Sequence, residues 1–198
     1  VHEYYVIYKP FQVLSQFTSQ EGKKTLKDFF PVPADVYPVG RLDFDSEGLL
    51  ILTNDTTLNH RLLNPRFAHD REYWVQVEGA ITAPALHQLE TGVTIAIDGR
   101  NYRTKPCTAT AMTADPPVPQ RFPPIRYRAQ IPTSWIKLIL HEGKNRQVRK
   151  MTAQTGFPTL RLIRYRIEGL TVGGLNPGEM QLLKKADIYS LLFAERNH

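Results

Sequence analysis

The stretch Gly40-Arg41-Leu42-Asp43-Phe44-Asp45-Ser46-Glu47-Gly48-Leu49-Leu50-Ile51-Leu52 decides how the rest of the chain is read. It crowds three carboxylates into five residues directly before an apolar run. That run, Gly48 to Leu52, reads as a strand buried on both faces. The pattern Asp43-x-Asp45-x-Glu47-Gly48 imitates the first half of an EF-hand, with glycine at loop position 6. The second half fails. Asn54 stands at position 12, where a bidentate Glu belongs, and Ile51 at position 9, while Pro38 and Gly40 break any incoming helix. A polar turn between strands is the plain alternative. Yet Arg41 and three acids before a buried strand are more than a turn requires. A carboxylate at a strand edge is well placed to act as nucleophile or base when a cation keeps it ionised.

Outward from this stretch the periodicity switches between strand and helix. Tyr5 to Tyr8 is a second buried run, and Arg71 to Glu78 alternates with Tyr73, Val75 and Val77 on one face. Trp135 to Leu140 and Leu160 to Ile167 complete the strand signals. Asp55 is placed to cap a helix over Thr56–Leu63 that Pro65 stops, and Thr82 one over Ala83–Glu90 that ends before Gly92. Asn145 is placed to cap Arg146–Thr155, with Gly156 and Pro158 as stop signals, and a weaker helix follows Lys184. Strands and helices mixed without regular βαβ alternation predict an α+β fold with a largely antiparallel or mixed sheet.

The 198 residues fit one domain or a two-lobed one, and 41% hydrophobic with 22% charged residues excludes a mostly disordered chain. Cys107 is the only cysteine, which excludes a disulfide framework and a cysteine-based zinc site and suits a reducing compartment such as the cytoplasm. None of the six histidines has a helical i, i+4 partner. The longest apolar run is far short of a membrane span, and the first residues lack a signal-peptide pattern. The sequence starts at Val1 without an initiator Met, as expected of a trimmed chain.

The net charge is +6, and arginine outnumbers lysine 15 to 10, a bias towards the planar fork that grips phosphate. Between Gly143 and Ile167 there are seven basic residues and no acid. On the expected helix Arg146, Arg149 and Lys150 share one face and Val148 and Met151 another, a basic ridge over an apolar underside. On the following strand Arg164 and Arg166 share a face. Such a run usually marks a solvated surface, but an acid-free one points to a phosphate backbone. Tyr73 and Trp74 face opposite sides of their strand, so one is core and the other is available to stack on a base. Six of the fifteen prolines fall between Pro116 and Pro132, giving a stiff surface loop at about residues 115–132 that carries Arg121, Arg126 and Arg128 beside Phe122 and Tyr127.

Together these residues resemble the pseudouridine synthases of the small-subunit rRNA-type family. The resemblance runs through Lys9-Pro10, Gly40-Arg41-Leu42-Asp43, Ser46-x-Gly48-Leu49-Leu50, Glu72-Tyr73, Glu142-Gly143 to Arg149, and Leu162-Ile163-Arg164. Ser46 stands where most relatives have threonine, and no RNA-binding S4 module is present in the sequence. Ile131-Pro132-Thr133-Ser134-Trp135 and Leu160 to Tyr165 look most like the short members that act on 23S rRNA of the large subunit.

The resemblance implies one catalytic domain over residues 1–198, with two lobes and a cleft between them. It implies isomerisation of uridine to pseudouridine in ribosomal RNA by a monomer, with no cofactor, no required metal and no membrane partner. Asp43 corresponds to the catalytic aspartate, Tyr73 to the active-site tyrosine and Arg149 to the arginine that pairs with the aspartate. Lys144, Arg146, Lys150, Arg164 and Arg166 then contact RNA, and Arg41 is a candidate to hold the opened stack. Two other classes remain. A non-catalytic RNA-binding module would need only the basic surface, and a metal-dependent hydrolase would use Asp43 with Asp45.

Overall fold

Short apolar runs form the inner strands because burial on both faces demands side chains without charge. The computed structural model describes residues 1–194. The chain divides into unit 1, Val1–His69 with the described residues from Arg164 onward, and unit 2, Asp70–Ile163. In chain order unit 1 begins with β1 (Tyr4–Lys9), β2 (Val13–Leu14), β3 (Lys24–Thr25), β4 (Tyr37–Pro38), β5 (Glu47–Thr53) and α1 (Thr56–Leu63). Unit 2 contains β6 (Arg71–Glu78), α2 (Ala83–Thr91), β7 (Thr94–Ile97), β8 (Arg100–Arg103), β9 (Thr108–Ala111), β10 (Thr133–Leu140) and α3 (Gln147–Gln154). β11 (Thr159–Ile167) starts in unit 2 and finishes in unit 1, where β12 (Leu170–Thr171), β13 (Met180–Leu183) and α4 (Lys185–Phe193) follow. The expected α+β class with a mostly antiparallel sheet is what the chain adopts.

In unit 1 the strand order is β13-β1-β5-β11. Every residue of β1 and β5 is buried, and the two run antiparallel with Ile7 opposite Leu50. One face of this pair presents Tyr5, Ile7, Leu50 and Leu52 to Leu26, Phe30, Val36 and Leu42. On the other side Tyr4 meets Tyr189 of α4 edge-on, with ring centroids 6.2 Å apart.

Asp55 ties α1, β1 and α4 together. Its Oδ1 accepts the N–H groups of Thr57 (3.0 Å) and Leu58 (3.2 Å), capping α1 as the sequence predicts. Its Oδ2 accepts the phenols of Tyr4 and Tyr189, both at 2.7 Å. Burial alone pushes this carboxyl up, but the hydrogen bonds from the two phenols and the backbone outweigh it and hold the group below its ordinary value. Burial, then Asp55, pushes the Tyr189 phenol up to about 12.

In unit 2 the order is β11-β6-β10-β9, with β10 antiparallel to both β6 and β9. Val75 and Val77 of β6 and Ile136, Leu138 and Leu140 of β10 pack with Leu89 of α2 and Val148 and Met151 of α3. β7 and β8 form a hairpin around Asp98 (φ 49°) and Gly99 (φ 75°), a left-handed pair that suits the strand twist. The cap of α3 differs from expectation. Arg146, not Asn145, occupies the cap position with φ 51° and no side-chain cap bond. The buried Gln147 reaches back instead, its Oε1 accepting the Lys144 N–H at 3.0 Å.

Within unit 1, β5 approaches β11 so closely that a side chain at Gly48 is excluded. A Cβ there would stand 2.3 Å from the Arg164 carbonyl oxygen, and the residue sits at φ +108°.

Two stability predictions follow from these contacts. Asp55→Ala removes the cap and strands the buried Tyr4 phenol and the half-buried Tyr189 phenol, so chemical unfolding at pH 7 is expected to show a loss of about 2–4 kcal/mol. Because the folded carboxyl is held below its unfolded value, its contribution is present above an unfolded pKa of about 3.9 and lost as pH falls through the folded value. The melting-temperature gap between wild type and Asp55→Asn should therefore narrow below about pH 4; a constant gap would contradict the hydrogen-bonded carboxylate. Gly48→Ala combines a backbone clash with positive φ and is expected to cost about 2–4 kcal/mol. Gly22→Ala shares the positive φ (+74°) but meets nothing within 4 Å, so only the strain of about 1–2 kcal/mol should appear.

Candidate active site

The turn that carries Asp43 is fixed by backbone bonds on both sides of the residue. Leu42 is buried, and Ser15 clamps it: the Leu42 N–H donates to Ser15 Oγ at 3.1 Å, and the Ser15 hydroxyl donates to the Leu42 carbonyl at 2.7 Å. The Ser46 N–H closes the turn onto the Asp43 carbonyl at 3.0 Å, and the Gln12 N–H donates to the Phe44 carbonyl at 2.8 Å. Asp43 and Asp45 are half-buried, whereas Ser46 and Glu47 are buried at the start of β5.

Cations lie inside unit 1 with this turn. Lys9 is completely buried, and its Nζ donates to the carbonyls of Pro10 and Val13, both at 2.8 Å. Burial lowers its pKa to about 7, opposed first by Glu47, then by Asp45 and Asp43, while Arg164 pushes it further down. Arg164 is 6% exposed and donates Nε to the Leu49 carbonyl at 3.0 Å. Asp43, Asp45 and Glu47 thus share one electrostatic neighbourhood with two buried cations. They do not form a metal cage: among the described residues no group of three or more His, Cys, Asp or Glu side chains is arranged to hold an ion.

Tyr73 and Arg149 belong to unit 2. Tyr73 lies on the same face of β6 as Val75 and Val77 and packs, half-buried, against the core cluster that contains Val148 and Met151 of α3. Tyr73 and α3 therefore occupy one side of the unit 2 sheet, and the half-buried Arg149 is carried by that helix. Trp74 points to the other side and donates Nε1 to Glu72 Oε2 at 2.9 Å. The segment leading into α3 is anchored by Glu142, which accepts from the Tyr102 hydroxyl and, at 2.8 Å, from the Lys105 N–H. Lys144 extends over the Tyr102 ring, 5.1 Å from its centroid.

The expected RNA contacts divide by exposure. Arg41, Lys144 and Arg146 are exposed, and Lys150 is half-buried. Arg166 is half-buried and donates Nη1 to the Glu168 carbonyl at 2.6 Å. Arg164, read from the sequence as a surface side chain, lies inside unit 1. Arg161 is buried as well and donates Nη2 to the Pro119 carbonyl at 2.7 Å. The acid-free run from Gly143 is thus partly internal, with Arg161 and Arg164 each donating to a backbone carbonyl. Sequence reasoning passed over Ser15, Lys9 and Glu142 as supports. Lys9 alone carried a signal, as a cation ending a wholly apolar strand.

Comparison with known proteins gives a consistent answer. The family model described as RNA pseudouridylate synthase matches residues 3–154. A Vibrio vulnificus protein named ribosomal large subunit pseudouridine synthase E is 51% identical over 171 residues, 86% of this chain and 70% of that protein. A Xanthomonas axonopodis protein of the same name is 48% identical, covering 85% of this chain and 87% of its own length. A Bacillus subtilis ribosomal large subunit pseudouridine synthase B is 33% identical over 95% of this chain and 70% of that protein. A crystal structure of a pseudouridylate synthase shares the fold, with a TM-score of 0.77 at 24% identity over 97% of this chain and 74% of its own. With that match across most of its length, the chain belongs to the RNA pseudouridylate synthase family.

Proposed function

We propose that the protein converts a uridine of large-subunit (23S) ribosomal RNA to pseudouridine, with Asp43 as the catalytic carboxylate. The observation that carries this reading is the Asp43 turn, half-exposed and clamped by Ser15 in front of a fully buried strand. The names of the curated relatives support the substrate class.

The reaction breaks the C1′–N1 bond, turns the uracil, joins C5 to C1′ and releases the C5 proton. The carboxylate adds to C6 of the ring or to C1′ of the sugar, or removes the C2′ proton on a glycal route. Each route asks for a carboxylate held in place with an open face. In this reading Tyr73 covers the detached uracil while it turns, and its phenol helps move the C5 proton. Arg149 aims the carboxylate through a bidentate fork. The target base has to leave its stack, so Arg41, Lys144, Arg146 and Lys150 hold the flanking backbone. The protein works as a monomer in the cytoplasm, without metal or cofactor.

Tritium release from rRNA labelled at uridine C5 tests this directly. Wild type should release tritium equally with and without EDTA; loss of release with chelator would favour a metal-dependent hydrolase. Asp43→Asn should lower turnover by about a thousandfold or more while RNA binding stays nearly unchanged. RNA binding with no tritium release by wild type would favour the non-catalytic module. Arg149→Lys keeps the charge and loses the fork, so much of the rate should go with it. Full activity in that variant would remove Arg149 from the chemistry.

Salt dependence tests the basic loop. Lys144→Ala and Arg146→Ala should each flatten the slope of log K against log[salt] by about 0.7–0.9. An unchanged slope in both would move the RNA away from the start of α3.

A further inference from the structure

The unit 2 sheet has two unlike faces. Tyr73, Val75 and Val77 face the core, so alternation turns Trp74, Gln76 and Glu78 to the opposite side. There a cleft of about 500 Å³ is lined by Gln76, Glu78, Tyr127, Gln130, Thr133 and Leu160. One wall is residues 125–132 of the long connection between β9 and β10, whose preceding part contains Pro116, Pro117, Pro119, Pro123 and Pro124.

This connection is held by specific bonds as well as by its prolines. Arg121 donates Nη1 to the Leu160 carbonyl (3.1 Å) and Nε to the Pro123 carbonyl (2.9 Å). The buried Arg161 donates to the Pro119 carbonyl at 2.7 Å, and Arg128 pairs with Glu78 at 3.3 Å. On this braced segment two aromatic rings stand in solvent: Phe122 is 87% exposed and Tyr127 86%. Exposed rings on a restrained loop gain stacking partners at little ordering cost. From Pro116 to Pro132 the chain has three arginines and no acid, with Arg126 exposed. The cleft floor is polar. Gln76 Nε2 donates to Thr133 Oγ1 at 3.0 Å, leaving amide and carboxylate oxygens to meet the edge of a base.

We propose that this cleft and its proline-rich wall bind an unpaired nucleotide of the substrate RNA, outside the uridine that is isomerised. Tyr127 and Phe122 supply ring faces, Arg126 meets the phosphate, and the Gln76–Thr133 floor meets the base edge. Aromatic rings interleaved with arginine over a polar floor fit RNA better than an apolar peptide, which would want an apolar floor. The proposal rests on RNA being the substrate, as in the proposed function, and adds a second grip on the face opposite Tyr73.

The test is binding of a single-stranded RNA of about eight nucleotides, a length suited to such stacking sites, followed by fluorescence anisotropy. The Phe122→Ala/Tyr127→Ala double variant should bind about tenfold or more weakly, since each stacked base contributes on that scale. Arg126→Ala should flatten the salt slope by about 0.7–0.9. Both rings are exposed, so the melting temperature should not move, and tritium release from the shortest target hairpin that wild type modifies should keep its kcat. Wild-type affinity in the double variant overturns the proposal, as does a wild type that does not bind the oligonucleotide. Because that binding is read without catalysis, a wild type lacking pseudouridine synthesis would count against the proposed function alone.

Discussion

The strand that follows the Asp43 turn depends on a backbone approach that only glycine permits. Where β5 meets β11, no Cβ fits at Gly48 against the Arg164 carbonyl. That closeness brings the Arg164 side chain back over β5, where it donates to the Leu49 carbonyl, and seals it inside unit 1 beside the buried Lys9. Two cations out of water are costly unless counter-charge and acceptors are supplied. Glu47 is the buried counter-charge, Pro10, Val13 and Leu49 supply carbonyls, and Asp43 and Asp45 complete the field from the turn above. The crowded acids of the turn and the cations beneath it therefore form one electrostatic unit. At Lys9 burial outweighs the three carboxylates that pull its pKa up, and the value falls.

This explains which parts of the molecule could be read from the chain. Local rules act within a few residues, and they were legible. Asp55 and Thr82 cap their helices as their positions predict, and β6 runs over the same eight residues as its alternation. Buried runs named β1 and β5 because nothing but burial on two faces tolerates so many consecutive apolar residues. The Asp98–Gly99 hairpin was passed over because its strands are only four residues each, with weak alternation. The cap of α3 was misread for another reason. Asn145 has the right chemistry, but Arg146 takes the left-handed turn, so the helix starts one residue later, and the buried Gln147 folds back onto the Lys144 N–H.

The basic run shows a deeper limit. Arg161 and Arg164 look like phosphate ligands in a sequence because they lack nearby acids. In the folded chain each donates to a backbone carbonyl, Arg161 to Pro119 and Arg164 to Leu49, and every residue offers a carbonyl. Only the folded chain tells which carbonyl lies within reach of which guanidinium. The same holds for Ser15, whose hydroxyl grips both backbone groups of Leu42 from 27 positions away. Long-range bonds to backbone leave no compositional trace. The residues that aim the site were consequently harder to find than the carboxylate they aim.

A uridine isomerase faces a constraint that a hydrolase does not. Only the C5 proton leaves: the base that is cut from C1′ has to return to C1′ through a different atom. A carboxylate free to swing would lose its position during the half-turn of the ring, and water would compete for the sugar. In the proposed function the Asp43 turn meets this demand with several backbone bonds, a buried leucine at its base and the tight glycine contact of the following strand. Tyr73 is likewise set against a packed core rather than on a loop. The adaptable parts of the chain are then free to serve recognition. The exposed start of α3 and the proline-braced segment of unit 2 put arginines and aromatic rings towards solvent, and these are the surfaces on which the proposed RNA contacts lie. In the proposed function, rigid chemistry on strands and turns with recognition on exposed surfaces lets binding contacts change without altering the reacting group.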